Sequence, residues 1–484
     1  MRPKKICVEK DQQISDDVDK NRKKVVINSL DYELLAKIIM LLPVPERIEM
    51  EKVCTKWKEA CQLAWYDIKK YKCEPSIGRS YDNGLLTQSY LKEILLRCGV
   101  YLKELSLSNV CNSKIMPFIG DHCKNLTTLE CKFYDNSFID RAYHFVQAFR
   151  QLDKLKCIKI RVDHNYSNET INLSQIINSL PEEINEIHLI SEPRLNQKQN
   201  ISMSVKKFKN LQKLTVHSFN LDNIILQEIS DITTLVYLSL QPCDINHEFP
   251  LFNKLINLEY IDLTMVARKE ANKLSTKILN TICCTCKNLK HLDMPPGPYD
   301  LVKIPLEKWI NFQHLEYLGI SCDIMPDLAN TIVEYCKNLK HLKLHNPDDL
   351  MNETALKKLT ELENLESLIL LPCMSLIEES IITISNNFKK LKRLEFIDCK
   401  IVSSVSGRQL FYTPVFNELS KLQYLEHLNL SGTNNFKDST IISIAYNCKN
   451  LKSLKIYGAG NNITETVLIA LTSLENLQFD YSLA

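Results

Sequence analysis

One spacing governs this chain. The pattern L-x-x-L-x-L, or a close apolar variant, recurs fifteen times. Its first position falls at Leu102, Leu126, Leu155, Ile184, Leu211, Leu235, Leu258, Leu289, Leu315, Leu339, Leu365, Leu391, Leu425, Leu451 and Leu474. These positions span 372 residues in 14 intervals of 23 to 34, a mean of about 26.6. A unit this short cannot close a core of its own and must stack on its neighbours. Stacked units bury one continuous core and leave a long outer surface, so the pattern predicts a binding surface rather than a catalytic cleft.

Within each unit the L-x-L core reads as a short strand. The remaining residues suffice for a turn, a helix and a return loop. DLANTIVEYC (327–336) and DSTIISIAYN (438–447) carry apolar residues at helical spacing. Parallel strands joined through helices require right-handed crossovers. Strands pack about 4.8 Å apart and helices about 10 Å apart, so the helical side must be the longer one. The expected fold is α/β: a curved parallel sheet on the concave face and helices on the convex face. Ten glycines are too few for a Gly-rich β-helix.

At 484 residues the chain exceeds an ordinary domain, a limit that repeat arrays escape. Lys and Arg number 60 against 58 Asp and Glu, net +2, so nothing global attracts nucleic acid. The opening MRPKKICVEKDQQISDD has no apolar signal region, and no run of about 18 apolar residues occurs. No membrane partner is expected. The expected location is the cytoplasm, with the nucleus also open to it through the basic clusters Arg2, Lys4, Lys5 and Arg22, Lys23, Lys24.

Eighteen cysteines suggest disulfides or zinc, but their placement follows the repeat. Cys123, Cys286, Cys336 and Cys448 each precede a first leucine by three residues, in the string CKNL, and Cys243, Cys373 and Cys399 each follow one by eight. A small buried hydrophobe in an equivalent slot, with S–H contacts to turn carbonyls, explains this. The run Cys283, Cys284, Cys286 has no second ligand pair at finger spacing. No metal and no cofactor are expected.

The N-terminal part differs. Residues 1–27 read as a disordered polar tail. In 28–68, Leu34, Leu35, Ile38, Leu41 and Leu42 recur at helical spacing. Ser29 or Asp31 can cap that helix, with Glu33 in its first turn. Pro43 and Pro45 stop it, and Pro45 suits the start of a second helix. A third runs toward Trp65. Three short helices make too small a core to stand alone, so this module should lean on a neighbour. Residues 69–88, with Pro75, Gly78 and Asn83-Gly84, read as a linker. The repeat domain is 89–484, starting with a helix at Ser89.

Together these features resemble the F-box/leucine-rich-repeat proteins of the cysteine-containing repeat subtype. The F-box pattern is matched by Leu30-Asp31-Tyr32-Glu33-Leu34-Leu35, Ile38-Ile39, Leu42-Pro43, Val53-Cys54-Thr55-Lys56-Trp57 and Trp65. Asp31 stands where the family has proline. The repeat pattern is echoed in CKNLKSLKIYGAGNNITETVL from Cys448. The resemblance covers about residues 28–484. It implies a substrate-recognition subunit of an SCF-type E3 ubiquitin ligase. The F-box would bind a Skp-family adaptor, and through it a cullin–RING ligase, while the repeats hold a protein target. The adaptor-binding candidates are Leu30, Leu34, Ile38, Leu42, Pro43, Val53 and Trp57, about half of which are expected inside the module's own core. The other reading is a non-catalytic repeat scaffold or stoichiometric protein-binding inhibitor without ubiquitination.

Strand alternation sends leucines inward and the intervening residues to the concave face. The residue before each second leucine then forms a column. In repeats six to ten it reads Tyr237, Tyr260, His291, Tyr317, His341, and two residues on lie Ser239, Asp262, Asp293, Gly319, Lys343. Amphipathic rings make good binding anchors, so Tyr237, Tyr260, Asp262, His291, Asp293, Tyr317, His341 and Lys343 are the substrate-binding candidates. Lys132, Lys159 and Arg161 cluster on repeats two and three, where they read as solvated charge rather than a phosphate site. No Gly-rich phosphate loop, G-x-S-x-G or H-E-x-x-H occurs, so no enzyme activity is expected.

Overall fold

The computed structural model describes residues 27–73, 88–108, 111–133, 141–164, 171–193, 199–241, 250–263, 276–294, 304–321, 324–345, 351–371, 375–403, 407, 409–410, 414–433, 436–456 and 464–480. The polar tail through residue 26, Cys243, Cys373, most of the 69–88 linker and most of the insertion after Leu263 lie outside them.

Burial of the leucine columns builds the array. All fifteen first positions are buried, the most accessible being Leu474 at 6%. Each leads into a strand of one parallel sheet of sixteen strands, from Lys70–Lys72 to Gln478–Asp480, which follow one another in chain order. Register keeps equivalent residues opposed: Leu214, Leu238, Ile261, Leu292, Leu318 and Leu342 pair in turn across six strands. A one-residue slip would turn the leucines out to solvent, so register and core are the same constraint. Helices run between the strands, among them Pro326–Tyr335 and Asp438–Asn447, within a residue of the sequence expectation. Asp222 and Asn352 cap two others by accepting from Ile225 N at 2.8 Å and Ala355 N at 3.0 Å. Two side sheets also form, one of Ile171–Asn172, Gln199–Ser202 and Phe219–Asn220, the other of Ser375–Ile377 and Lys400–Val402.

Two ladders reinforce the stack. The asparagine before a first leucine donates Nδ2 to a carbonyl of the preceding turn: Asn125 to Val100, Asn257 to Thr233, Asn338 to Gln313, Asn364 to Lys337 and Asn450 to Gln423, at 2.8–3.0 Å. The residue after that leucine alternates in charge, pairing Glu259 with Lys290, Glu316 with Lys340, Glu366 with Lys392 and Glu426 with Lys452 at 2.5–3.0 Å. Exposed pairs of this kind contribute about 0–1 kcal/mol each, so they assist the alignment set by the core. The CKNL cysteines fill the expected slot. Cys123, Cys286, Cys336 and Cys448 are fully buried, and burial pushes each thiol up to about 12. Cys286 and Cys448 point Sγ at the carbonyls of Leu255 (3.5 Å) and Leu419 (3.8 Å).

The N-terminal module consists of α1 (Tyr32–Ile39), α2 (Val44–Met50) and α3 (Thr55–Ala64). Asp31 is the cap of α1, accepting from Leu34 N at 2.7 Å, and Pro45 sits in the first turn of α2. Its own core is only Leu35, Ala36, Ile39, Ala60, Cys61 and Ala64. Ile48 and Trp65 belong instead to the core of the array, which is the expected dependence on a neighbour. Buried Arg47 knits the module. It donates to the carbonyls of Met40 (2.6 Å), Leu42 (2.9 Å) and Ala64 (2.9 Å) and pairs with both carboxylate oxygens of Asp67 (2.6 and 3.0 Å). Glu51 joins module to array: Oε1 accepts from Trp65 Nε1 at 2.9 Å and Oε2 from Arg97 Nε at 2.8 Å, with Arg97 on α4 (Gln88–Cys98). The linker expected at 69–88 needs correction at its start. Lys70–Lys72 is the first strand of the sheet, pairing with Glu104–Ser106. Its main chain serves as an edge for the first repeat, which periodicity of leucines does not reveal.

Arg47→Met removes the donor side of a buried cluster and leaves Asp67 and three carbonyls unanswered. Such a loss costs about 1–3 kcal/mol, since the Asp67 side chain is 29% exposed and keeps contact with water. Urea denaturation should show the α1–α3 module melting earlier, with the array transition little changed.

Candidate functional site

Register places equivalent concave residues one strand spacing apart, about 4.8 Å. Planar side chains at that interval can stack face to face. In the middle of the sheet they do. Ring centroids of Tyr237 and Tyr260 lie 4.0 Å apart at 13°, Tyr260 and His291 3.9 Å at 12°, and His291 and Tyr317 3.9 Å at 18°. His341 ends the row, tilted at 6.1 Å. Five rings from five repeats thus form one half-exposed ridge.

Beside the ridge the second column is not a solvated surface, contrary to the alternation rule. Ser239, Asp262 and Asp293 are only 1%, 7% and 5% exposed. Asp293 Oδ2 accepts from Tyr317 Oη at 3.0 Å and pairs with Lys343 Nζ at 2.9 Å, two strands away. Gly319, on the intervening strand, makes this reach possible, because a Cβ there would fall 2.1 Å from Asp293 Oδ1. Asp293 Oδ1 and His291 Nε2 are closed to water and make no hydrogen bond. Asp262 accepts from Gln241 Nε2, and Ser239 Oγ lies 2.9 Å from His217 Nε2. Burial raises the Asp293 carboxyl, against the pull of Lys343, and raises the Tyr260 and Tyr317 phenols. Burial lowers His291 to about 4 and also lowers His188, His217, His341 and His345. All five imidazoles are therefore neutral at pH 7.

All eight concave candidates therefore lie on adjacent strands in one patch. The sequence reading missed the linkage among them: Gly319 as a gap, Gln241 as the partner of Asp262, and Lys343 as the counter-ion of Asp293. A glycine in an otherwise bulky column was the available signal. The basic cluster on repeats two and three is not a free cationic patch, since Arg161 Nε binds Glu130 Oε1 at 2.8 Å and Glu130 Oε2 accepts from Ser106 Oγ at 3.1 Å.

The second candidate surface lies on the N-terminal module. Leu34 and Ile38 are 46% and 40% exposed, and Val53 is 56% exposed. Pro43 is exposed, and Leu30, Leu42 and Trp57 are half-buried, Trp57 against the small core. None of the seven is fully buried, so the expectation that half would be internal is corrected. The module is so small that six other residues fill its core. Leu41, not among the candidates, is 84% exposed in the turn that follows α1, two residues past its end, so the helix expected to run to Leu42 stops earlier.

Residues 27–67 match the family model of the F-box domain. No curated protein sequence matches the chain. Among solved structures, a leucine-rich-repeat protein of Leptospira interrogans is 19% identical, with 85% of this chain and 99% of that one covered and a TM-score of 0.41. A chain from the yeast Rad7 and Elc1 complex is 15% identical, with 89% and 96% covered and a TM-score of 0.44. Residues 27–67 are therefore an F-box domain, and the strands and helices that follow it build a leucine-rich-repeat solenoid. No helix among the described residues is long and apolar enough to cross a membrane.

The lowered histidines predict acid sensitivity. A histidine held near 4 in the fold and near 6.5 when unfolded takes up its proton preferentially in the unfolded chain. Stability is then constant above about pH 6.5 and falls between about 6.5 and 4. His291→Phe keeps a ring in the ridge but cannot titrate. Thermal melts across that range should show a shallower loss in the variant than in the wild type.

Proposed function

We propose that this protein is the substrate-recognition subunit of an SCF-type E3 ubiquitin ligase. The F-box docks on a Skp-family adaptor and thereby on a cullin–RING assembly, and the concave face of the repeats holds the protein to be ubiquitinated. The chain itself is non-catalytic in this reading. It brings a target to an enzyme bound elsewhere in the complex, and its place of action is the cytoplasm, with the nucleus open to it.

The exposed apolar residues of α1 and the turn after it carry the proposal. Leu34 and Ile38 on α1 and Leu41 just after it lie outside both hydrophobic cores, and exposed apolar side chains grouped this closely suit docking against a partner's helices. The Glu51 bridge to Trp65 and Arg97 supports the second half of the role. It sets the F-box against the first turns of the array, so a target on the ring ridge would be presented in a defined direction. The ridge itself offers stacked, pre-ordered rings that lose little entropy on binding.

Co-purification from cells tests both surfaces. Leu34→Glu with Ile38→Glu should abolish adaptor and cullin recovery while the melting curve stays close to wild type, because both sites are exposed. Adaptor binding that survives the double change would overturn the assignment of the docking face.

Tyr260→Ala with Tyr317→Ala should do the converse. Adaptor recovery persists, and proteins captured by proximity labelling through the wild-type array disappear. An unchanged set of captured proteins would move the target site off the ridge.

A further inference from the structure

Repeats three and four bring together three side chains that the proposed function does not use. Cys157 and Glu186 are paired in register on neighbouring strands, and His188 follows Glu186 by two residues on the same face. Cys157 Sγ, a Glu186 carboxylate oxygen and an imidazole nitrogen of His188 all lie within 4.8 Å of one another. The thiol is nearly closed off, at 7% exposure for Cys157, while the His188 and Glu186 side chains are 17% and 30% exposed. The cluster opens onto the concave face, a few strands before the ring ridge.

The contacts around His188 and Glu186 hold one ligand atom of each within reach of the Cys157 thiol. His188 Nδ1 is 2.9 Å from Thr215 Oγ1 on the next strand. With the proton on Nδ1 donated to that hydroxyl, Nε2 carries the free lone pair. Nε2 is closed to water and faces Glu186 Oε2 at 3.6 Å, a gap that a shared cation would bridge. The other carboxylate oxygen, Oε1, is held by Lys213 Nζ at 2.7 Å, which fixes the carboxylate and leaves Oε2 directed at the histidine. A hydrogen bond on the far nitrogen of a histidine, and a second partner on the far oxygen of a carboxylate, are the outer contacts that orient metal ligands.

We propose that Cys157 Sγ, Glu186 Oε2 and His188 Nε2 form a binding site for a zinc-class divalent cation, with Thr215 as a positioning residue and the fourth coordination position open to the concave face. Sulfur, imidazole nitrogen and carboxylate oxygen together are a donor set suited to zinc, and three protein ligands with an open position are a recognised tetrahedral arrangement. Binding replaces the Cys157 S–H bond with an S–metal bond and releases the proton to solvent. The thiolate and carboxylate then supply two negative charges to a dication. Lys213 and Lys159, which flank the site, offset part of that charge and moderate the affinity. The cation would clamp two adjacent strands and offer its open position to a side chain of a bound protein. Sequence spacing conceals such a site because its ligands come from two repeats.

Cobalt(II) titration of the full-length, reduced and chelator-treated protein tests this. The wild type should take up one equivalent, with the visible absorption of tetrahedral cobalt and a thiolate-to-cobalt charge-transfer band, both displaced by zinc. Zinc should also raise the melting temperature. Cys157→Ser should lose the charge-transfer band. Glu186→Gln and His188→Gln, at partly exposed positions, should weaken uptake at least about tenfold, and Thr215→Val about 10–100-fold. Cys284→Ser, at an exposed thiol elsewhere in the array, should leave the spectrum intact. Should Cys157→Ser fail to fold, the Glu186 and His188 variants decide. Absence of equimolar uptake by the wild type, a spectrum unchanged in both His188→Gln and Glu186→Gln, or its loss in Cys284→Ser would overturn the proposal.

Discussion

Parallel backbone pairing in exact register is the constraint on which this molecule depends. The buried leucine columns allow only one alignment of successive strands, since a slip of one residue exposes them. Once that alignment holds, any residue type repeated at one position becomes a column with a strand-spacing interval. Rings in such a column stack, as from Tyr237 to Tyr317. Opposite charges in such a column pair, as at Glu259 and Lys290. Side-chain amides in such a column reach the preceding turn, as Asn338 reaches Gln313. The concave chemistry is therefore a consequence of backbone pairing and needs no separate scaffold.

The same dependence explains the N-terminal module. Six buried residues are too few to hold three helices. Arg47 adds a network of polar bonds across the helix ends, and Ile48 and Trp65 are lent to the core of the array. The module gains a fixed orientation in this way. Because its core is filled by small and inward residues, such as Ala36, Ala60 and Ala64, the larger apolar residues on the outer side of α1 remain available for contact with another protein.

A long solenoid also distributes polar burial unevenly. At the ring ridge the side chains of neighbouring strands are large enough to cover the column next to them. Asp262 and Asp293 are consequently enclosed, although each sits at a position that alternation assigns to solvent. Enclosure makes their partners matter: Lys343 neutralises Asp293 only because Gly319 leaves the space between them.

Much of this could be read from the sequence. Leucine spacing defined the solenoid, its strands and the placement of helices such as Asp438–Asn447. Alternation placed Tyr237, Tyr260, His291, Tyr317 and His341 in one column, and helical periodicity with the Asp31 cap outlined the F-box. These are legible because they depend on residues close in sequence or on a strict period. The strand at Lys70–Lys72, the exposure of Leu41, the Arg47 cluster, the enclosure of Asp293 and the meeting of Cys157, Glu186 and His188 were decided only by the tertiary structure. Each depends on distances between residues of different repeats or helices, and those distances exist only after the array has stacked and set its register.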